Sequence, residues 1–149
     1  MKIRKAEFSD IVSLVDNRLE FICSIRSIDN VDEFKKQTRI YLEKHIDDGT
    51  VVSYVATDKN KIVASCILCI YETLPTPCCL CGKNGLLLNV YTLKEYRKQG
   101  LAFNILTALI DEAKQLGIGK ILLDYTDDGY ALYKKLGFES LDREMALEI

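Results

Sequence analysis

The segment that most constrains the fold is 87–103, LLNVYTLKEYRKQGLAF, in which a strand pattern leads directly into a helical one. Branched and apolar residues at 87–92 are typical of a buried strand, a short charged stretch follows, and a helix is predicted to open at 97–102. The first N–H groups of a helix have no partner inside it and lie at the positive end of its dipole. We therefore expect this helix start to bind a phosphate or a pyrophosphate.

Side chains around the predicted helix start support the same interpretation. Gly100 has no Cβ, so an anion can approach the backbone there, and Ala102 keeps a neighbouring position small. Arg97 and Lys98 add positive charge beside the same point. The segment is not a Walker P-loop, because no Gly-Lys-Ser/Thr follows the glycine. Alone, the pattern also fits a solvated helix terminus, and the residues that follow distinguish the two.

Those residues carry a resemblance to a known family. A strand pattern at 120–126 precedes a short helix that ends in ALYKKLGF, residues 131–138. In this order and spacing, 85–138 resembles the GNAT N-acyltransferase superfamily, in which Arg/Gln-x-x-Gly-x-Gly/Ala cradles the pyrophosphate of acetyl-CoA and Leu-Tyr-x-x-x-Gly-Phe follows the fifth strand. The resemblance implies an α/β (α+β) GNAT fold, with a mixed, mostly antiparallel central sheet flanked by helices.

The rest of the chain predicts elements that fit this fold within one domain, residues 1–149. With 149 residues, the chain can bury about two-thirds of its unfolded surface. The further predicted elements are a strand at 2–6, a helix after residue 10, a helix from about 32 to 48, strands at 51–57 and 62–71, and a last strand at 144–149. The crossover from 87 to 126 should be right-handed.

Composition excludes several classes of partner. The chain is 48% hydrophobic and 28% charged, as expected for a globular domain, and its net charge of −2 gives no general attraction to nucleic acid or anionic membranes. The N-terminal residues lack the apolar core of a signal peptide, and no apolar run is long enough to span a bilayer. We expect a cytoplasmic protein with no nucleic-acid or membrane partner.

Six cysteines allow metal binding to be considered. Cys78, Cys79 and Cys81 cluster in a predicted loop. A structural zinc site needs a second cysteine pair or histidines, and no second pair is visible, so we predict no metal site. Cys66 and Cys69 lie in an apolar run and are expected to pack as small hydrophobic residues. Reduced thiols are the expectation for a cytoplasmic protein.

The resemblance also assigns a cofactor site for acetyl-CoA as acyl donor. In the family, CoA lies where the fourth and fifth strands splay apart, main-chain groups of the central strand hold the pantetheine arm, and an N–H there polarises the thioester. Many members have an asparagine near the start of the last helix, where Thr126 or Asp127 stands here. The residues assigned to the cofactor by position are Val90, Tyr91, Thr92, Arg97, Lys98, Gln99, Gly100, Leu101, Ala102 and Thr126.

Acyl transfer to an amine requires a neutral amine, donors for the oxyanion and a proton for the leaving thiolate. The resemblance assigns Tyr133 as general acid, because the family's tyrosine reaches the CoA sulfur and a phenol pKa of about 10 keeps it protonated. The alternative is a tyrosine that only packs the last helix. Glu72, at a strand end on the acceptor side, is the predicted base, with a solvated carboxylate as its alternative. Asn89 is predicted to orient substrate or CoA, or to bond a neighbouring loop.

The predicted function is an N-acetyltransferase that moves an acetyl group from acetyl-CoA to a primary amine by direct attack in a ternary complex. No cysteine lies on the motif segments, so no cysteine-bound acyl intermediate is expected. The acceptor is a small-molecule or peptide amine, and monomer and homodimer both stay open. The alternatives are a non-catalytic CoA-binding or regulatory module and an unrelated nucleotide-binding α/β domain. Acidic residues that would favour a cationic acceptor are Glu20, Asp29, Asp32, Glu33 and Glu72.

Overall fold

The computed structural model describes residues 1–142 and 144–149, and the secondary structure of this part is one five-stranded sheet with four α-helices. The elements are β1 Lys2–Lys5, α1 Ile11–Ile25, α2 Val31–His45, β2 Val51–Asp58, β3 Lys61–Glu72, β4 Lys83–Thr92, α3 Leu101–Gln115, β5 Lys120–Leu122 and α4 Asp127–Lys135. Short 3-10 turns lie at Phe8–Asp10 and Lys94–Tyr96. Within these ranges, no helix is both long and apolar enough to cross a membrane.

The strands follow one another across the sheet in chain order, β1-β2-β3-β4-β5. The first three pairs are antiparallel and the β4–β5 pair is parallel, so the predicted mixed, mostly antiparallel sheet is confirmed. The β2–β3 hairpin turns through Lys59 and Asn60, both with positive φ (46° and 67°), as tight hairpin turns require. α3 supplies the crossover that the parallel pair needs.

Helices cover both faces of the sheet, because successive side chains of a strand point to opposite faces. Val52 and Ala56 of β2 belong to a buried cluster with α3, whereas Val51 and Val55 belong to a second cluster with α1 and α2. Helical periodicity explains how α3 fits its face. Its buried residues recur mostly three or four positions apart and are Leu101, Ile105, Leu106, Leu109 and Ala113.

The helix predicted to open at 97–102 begins at Leu101, directly after Gly100, whose backbone is left-handed (φ 76°). Two other sequence predictions need correction. The strand predicted at 120–126 ends at Leu122, where pairing with β4 stops. The prediction of a last strand at 144–149 is wrong, since these residues form no helix or strand and their apolar side chains are exposed. Alternating apolar residues form a strand only where a sheet edge pairs with them.

Candidate active site

The sheet opens where β4 and β5 part. Their parallel pairing runs from Asn84 opposite Lys120 to Leu86 opposite Leu122, and there β5 ends. β4 continues through 87–92 while the other chain segment, 123–126, leads to α4. We call the space between these two segments the β4–β5 gap. Main-chain groups of β4 along this edge have no β5 partner, which makes them available to a ligand.

A β-bulge distorts β4 beside the gap. Ser65 of β3 is opposite Tyr91, but Ile67 is opposite Leu88, so Cys66 faces two residues of β4 instead of one. Asn89, in the bulge, has φ 55°, a left-handed conformation. A bulge leaves an extra residue outside the hydrogen-bonded ladder, and such features recur beside active sites. The strand therefore offers main-chain groups at 89–90 that β3 does not fully use.

Sequence reasoning missed this bulge, although it singled out Asn89. Asparagine tolerates the left-handed region better than most residues, and it interrupts an otherwise apolar run here. Its side chain is buried, and its Nδ2 donates to the buried Ser65 Oγ at 3.2 Å. Among the described atoms, the Asn89 Oδ1 is buried with no hydrogen-bond partner, which costs on the order of 1–3 kcal/mol.

The turn before α3, residues 97–100, is exposed and carries two positive φ angles, 62° at Lys98 and 76° at Gly100. We call it the glycine turn. A Cβ built on Gly100 would meet no atom within 4 Å beyond its two chain neighbours, so the space in front of the helix is open. The first intrahelical acceptor is the Gly100 carbonyl, bonded by the Asn104 N–H at 3.0 Å. The N–H groups of 101–103 therefore have no partner inside the helix, and no side chain caps this end within the described residues.

Arg97 ties the glycine turn to the end of β4. Its Nε donates to the Thr92 carbonyl at 3.1 Å, and its guanidinium carbon lies 5.8 Å from the centroid of the Tyr91 ring. The Tyr91 hydroxyl donates to Glu20 Oε1 of α1 at 2.8 Å; burial of the phenol, with that hydrogen bond, raises the pKa of Tyr91. Tyr91 is thus held against α1 by its side chain. Any contact that it makes in the β4–β5 gap has to come from its main chain.

Tyr133 approaches the bulge from α4. Its ring packs over Gly129, where a Cβ would lie 2.8 Å from Tyr133 Cε2, and lies edge-on to Phe138 with centroids 5.8 Å apart. Burial, together with the nearby Cys66 on β3, raises the pKa of Tyr133 to about 12. Tyr133 is half-buried, and its hydroxyl makes no hydrogen bond to another described residue. The phenol is therefore protonated at neutral pH and carries an O–H that can donate.

Glu72 and Thr126 lie at different distances from Tyr133 and the bulge. Thr126 is the N-cap residue of α4 and borders the β4–β5 gap, and its side chain makes no capping bond. Glu72 is the last residue of β3, exposed and opposite Lys83, where β4 begins. It is six positions from Cys66 along β3, roughly 20 Å at about 3.4 Å per residue. The structure thus brings Thr126 to the gap with Tyr133, but not Glu72.

A separate groove of about 800 Å³ runs along the outer edge of β5, between α3 and α4. It shares Tyr133 and residues 123–125 with the β4–β5 gap, but none of residues 97–102 lines it. The size of this groove therefore does not make it the predicted diphosphate site. That site stays at the glycine turn, where main-chain N–H groups face an open surface.

Comparisons with known proteins agree with this geometry. The family described as Acetyltransferase (GNAT) family matches residues 19–138. A predicted acetyltransferase from Clostridium acetobutylicum, solved with acetyl-CoA, is 30% identical and superposes with a TM-score of 0.91 over 99% of this chain and 95% of that one. A GCN5-related N-acetyltransferase from Ralstonia eutropha is 23% identical, with a TM-score of 0.90 over 99% and 97% of the two chains. Glucosamine-6-phosphate N-acetyltransferase from Arabidopsis thaliana is also 23% identical, with a TM-score of 0.74 over 99% and 97%. Among curated proteins, none matches the sequence significantly.

The helix start has open space in front of it, and it lies beside the point where two parallel strands part. On this sheet, these two features place the protein in the class of the acyl-CoA-dependent N-acyltransferases. Within that class, the chain belongs to the Acetyltransferase (GNAT) family. The resemblance stated from 85–138 is thereby confirmed, and the family match extends it toward the N-terminus, to residue 19.

Proposed function

We propose that the protein transfers an acetyl group from acetyl-CoA to the primary amine of a small-molecule or peptide acceptor, by direct attack in a ternary complex. The observation that carries this proposal is the open glycine turn beside the β4–β5 gap. The acetyl-CoA named for the Clostridium acetobutylicum relative, the one at 30% identity, supports the choice of donor.

The cofactor contacts follow from where main-chain donors are left free. The N–H groups of Leu101 and Ala102 would hold the diphosphate, since helix-start donors and the dipole both favour an anion. Side chains of 97–99 surround the same space and include two cations. The pantetheine arm would lie along 90–92, the unpaired edge of β4, with Thr126 on the opposite side of the gap.

The acetyl group would then sit at the bulge. The amine nitrogen attacks the thioester carbon, the carbonyl oxygen becomes an oxyanion, and a main-chain N–H at 89–90 stabilises it. Collapse breaks the C–S bond, and the amide product loses the proton that the amine carried. Fixed donors in a partly buried site supply this stabilisation without reorganising, which is why the bulge matters to the rate.

Tyr133 would serve the leaving sulfur chiefly as a hydrogen-bond donor. A phenol with a pKa of about 12 is a weaker acid than a thiol, whose pKa is about 8.5. Complete proton transfer to the thiolate is therefore uphill by roughly 5 kcal/mol, as estimated from this difference. The thiolate leaves stabilised by a hydrogen bond from the phenol, and water then supplies the proton that converts it to the CoA thiol.

Two carboxylates are candidates to take the amine proton. Glu72 is the base predicted from the sequence, but it lies near the closed end of the β4–β5 pair. Glu20 lies on α1 and is hydrogen-bonded to Tyr91, next to the bulge. We propose that Glu20, directly or through water, is better placed. Comparing Glu20→Gln with Glu72→Gln tests this: a lower kcat with a basic shift of the pH profile is expected for Glu20→Gln only, and the reverse pattern restores Glu72.

A thiol-release assay tests the proposed reaction. Purified protein with acetyl-CoA is offered a panel of amines that includes polyamines, aminoglycosides, amino acids and peptides. At least one amine should accelerate CoA release, with the acetylated amine found by mass spectrometry in equal amount. If no amine does so while CoA still binds, the chain is a CoA-binding module, and the proposed transfer is wrong.

A further inference from the structure

The loop between β3 and β4, residues 73–82, brings two sulfur atoms together. Cys79 Sγ and Cys81 Sγ lie 3.7 Å apart, and we call these two residues the thiol pair. Cys79 is buried and Cys81 is exposed. The backbone around them is fixed, because Thr76 and Cys79 exchange N–H···O bonds at 3.0 and 3.1 Å and the Gly82 N–H donates to the Cys79 carbonyl at 3.1 Å. The two sulfurs are thus held in contact by a structured turn.

Gly119 makes room for the thiol pair. A Cβ at this position would lie 2.7 Å from Cys81 Sγ and 2.8 Å from Cys79 Sγ, distances that real Cβ atoms do not tolerate. Gly119 does not have a positive φ, so backbone conformation gives no reason for a glycine there. The missing side chain is explained by the space that both sulfurs occupy, on the segment that leads into β5.

The two thiols differ in chemistry as well as exposure. The Lys83 N–H donates to Cys81 Sγ at 3.5 Å, and this bond, with the neighbouring Cys79 thiol, lowers the pKa of Cys81. Burial and the Cys81 sulfur raise the pKa of Cys79. A thiolate is the nucleophilic form, so Cys81 is the reactive sulfur and Cys79 is the partner beneath it. A low-pKa exposed thiol beside a second thiol is the arrangement of an oxidisable dithiol.

A metal does not explain the cluster. Within the described residues, no group of three or more His, Cys, Asp or Glu side chains is arranged to hold a metal ion. Structural zinc needs four ligands, and only the two sulfurs of the thiol pair converge here.

We propose that Cys79 and Cys81 are a modification site at which a hydroperoxide oxidises the two thiols to a disulfide. The Cys81 thiolate attacks a peroxide oxygen, the O–O bond breaks, and the sulfur becomes a sulfenic acid while the other oxygen leaves with a proton as water or alcohol. Cys79 then attacks the Cys81 sulfur, the S–OH bond breaks, and a second water leaves with the Cys79 proton. The peroxide is reduced by two electrons and the pair loses two.

Oxidation would change how the loop is attached to the sheet. The Cys79 thiol donates to the Lys83 carbonyl at 3.5 Å, and the Cys81 thiol lies 3.6 Å from the Gly117 carbonyl. Both S–H donors disappear in a disulfide, so 73–82 would lose these contacts with the start of β4 and the turn after α3. The glycine turn lies at the other end of β4 and α3 and keeps its geometry. The site is independent of the proposed acetyl transfer.

Thiol counting with hydrogen peroxide tests the site. The reduced protein has six thiols in denaturant; mild peroxide should remove two, and dithiothreitol should restore both. Peptide mass spectrometry should place the new bond between Cys79 and Cys81. Cys78→Ser is the matched control, since Cys78 is exposed in the same loop, and it should behave as the natural protein does. Cys79→Ser and Cys81→Ser should lose the reversible pair.

Gly119→Ala gives a second, independent variant that keeps both thiols. Its Cβ must displace the sulfurs, so the rate of disulfide formation should fall several-fold while all six thiols remain countable. The proposal is overturned if the natural protein loses no thiols, if the loss persists in Cys81→Ser, or if the bond maps to Cys78. It is also overturned if dithiothreitol restores nothing.

Discussion

Replacing Gly100 with alanine perturbs the glycine turn without touching any neighbouring side chain. The added Cβ meets no atom within 4 Å beyond its two chain neighbours, so the cost to the fold is limited to the left-handed backbone, φ 76°. For an L-residue this conformation costs about 1–2 kcal/mol. In a chain of this size that corresponds to a Tm lower by about 2–8 °C. The new methyl group occupies the space from which an anion would reach the N–H groups of 101–103.

Binding should suffer more than stability. A hydrogen bond to a charged group contributes about 1.5–3 kcal/mol, so losing one main-chain contact to the diphosphate should raise the Kd for CoA by roughly 10- to 150-fold. Gly117→Ala is the matched control, because Gly117 has φ 74°, has open space and follows the opposite end of α3. Titration calorimetry with CoA and thermal unfolding are measured on both variants. Equal Tm losses with a higher Kd in Gly100→Ala alone are expected; equal Kd values would refute the reasoning.

Three further predictions concern the bulge, the Tyr133 phenol and the loss of stability at low pH. Tyr133→Phe should lower kcat by roughly 10- to 150-fold, the value of one hydrogen bond to a charged group, with little change in CoA Kd by calorimetry; unchanged kcat would leave Tyr133 a packing residue. Asn89→Gly should retain more turnover than Asn89→Ala, because glycine adopts φ 55° without strain. Equal rates for the two variants in the thiol-release assay would show that the bulge does not contribute to turnover. Arg4 donates to both carboxylate oxygens of Asp10, at 2.6 and 2.9 Å, and lowers its pKa below the ordinary 3.8. The stability from this pair is therefore present above pH 3.8 and lost as pH falls below it, so Asp10→Asn should flatten acid unfolding followed by circular dichroism in that window.

The sequence predicted those features of the structure that a single segment of chain determines. The start of α3, the two strands of the β2–β3 hairpin and the glycine before α3 each follow from one segment of chain. The open helix start at Gly100 could be predicted for the same reason, and the proposed diphosphate site follows from it because a helix start binds anions through its own main chain.

Features set by pairing across the sheet could not be read in this way. The bulge depends on the register of β4 against β3, so Asn89 could be noticed in the sequence but not assigned its backbone. β5 ends at Leu122, where its pairing with β4 stops, although the residues up to 126 have a strand pattern. The distance of Glu72 from the bulge depends on the register of the whole β3–β4 pair.

The most direct test of the account compares CoA with pantetheine, which keeps the thiol-bearing arm and lacks the diphosphate and the nucleotide. If the glycine turn holds the diphosphate through the main chain of 101–103, calorimetry should give CoA a Kd at least about tenfold lower than that of pantetheine, as expected from one charged hydrogen bond. The advantage should shrink in Gly100→Ala and persist in Gly117→Ala. Equal Kd values for the two ligands, or no heat with CoA, would contradict the central claim.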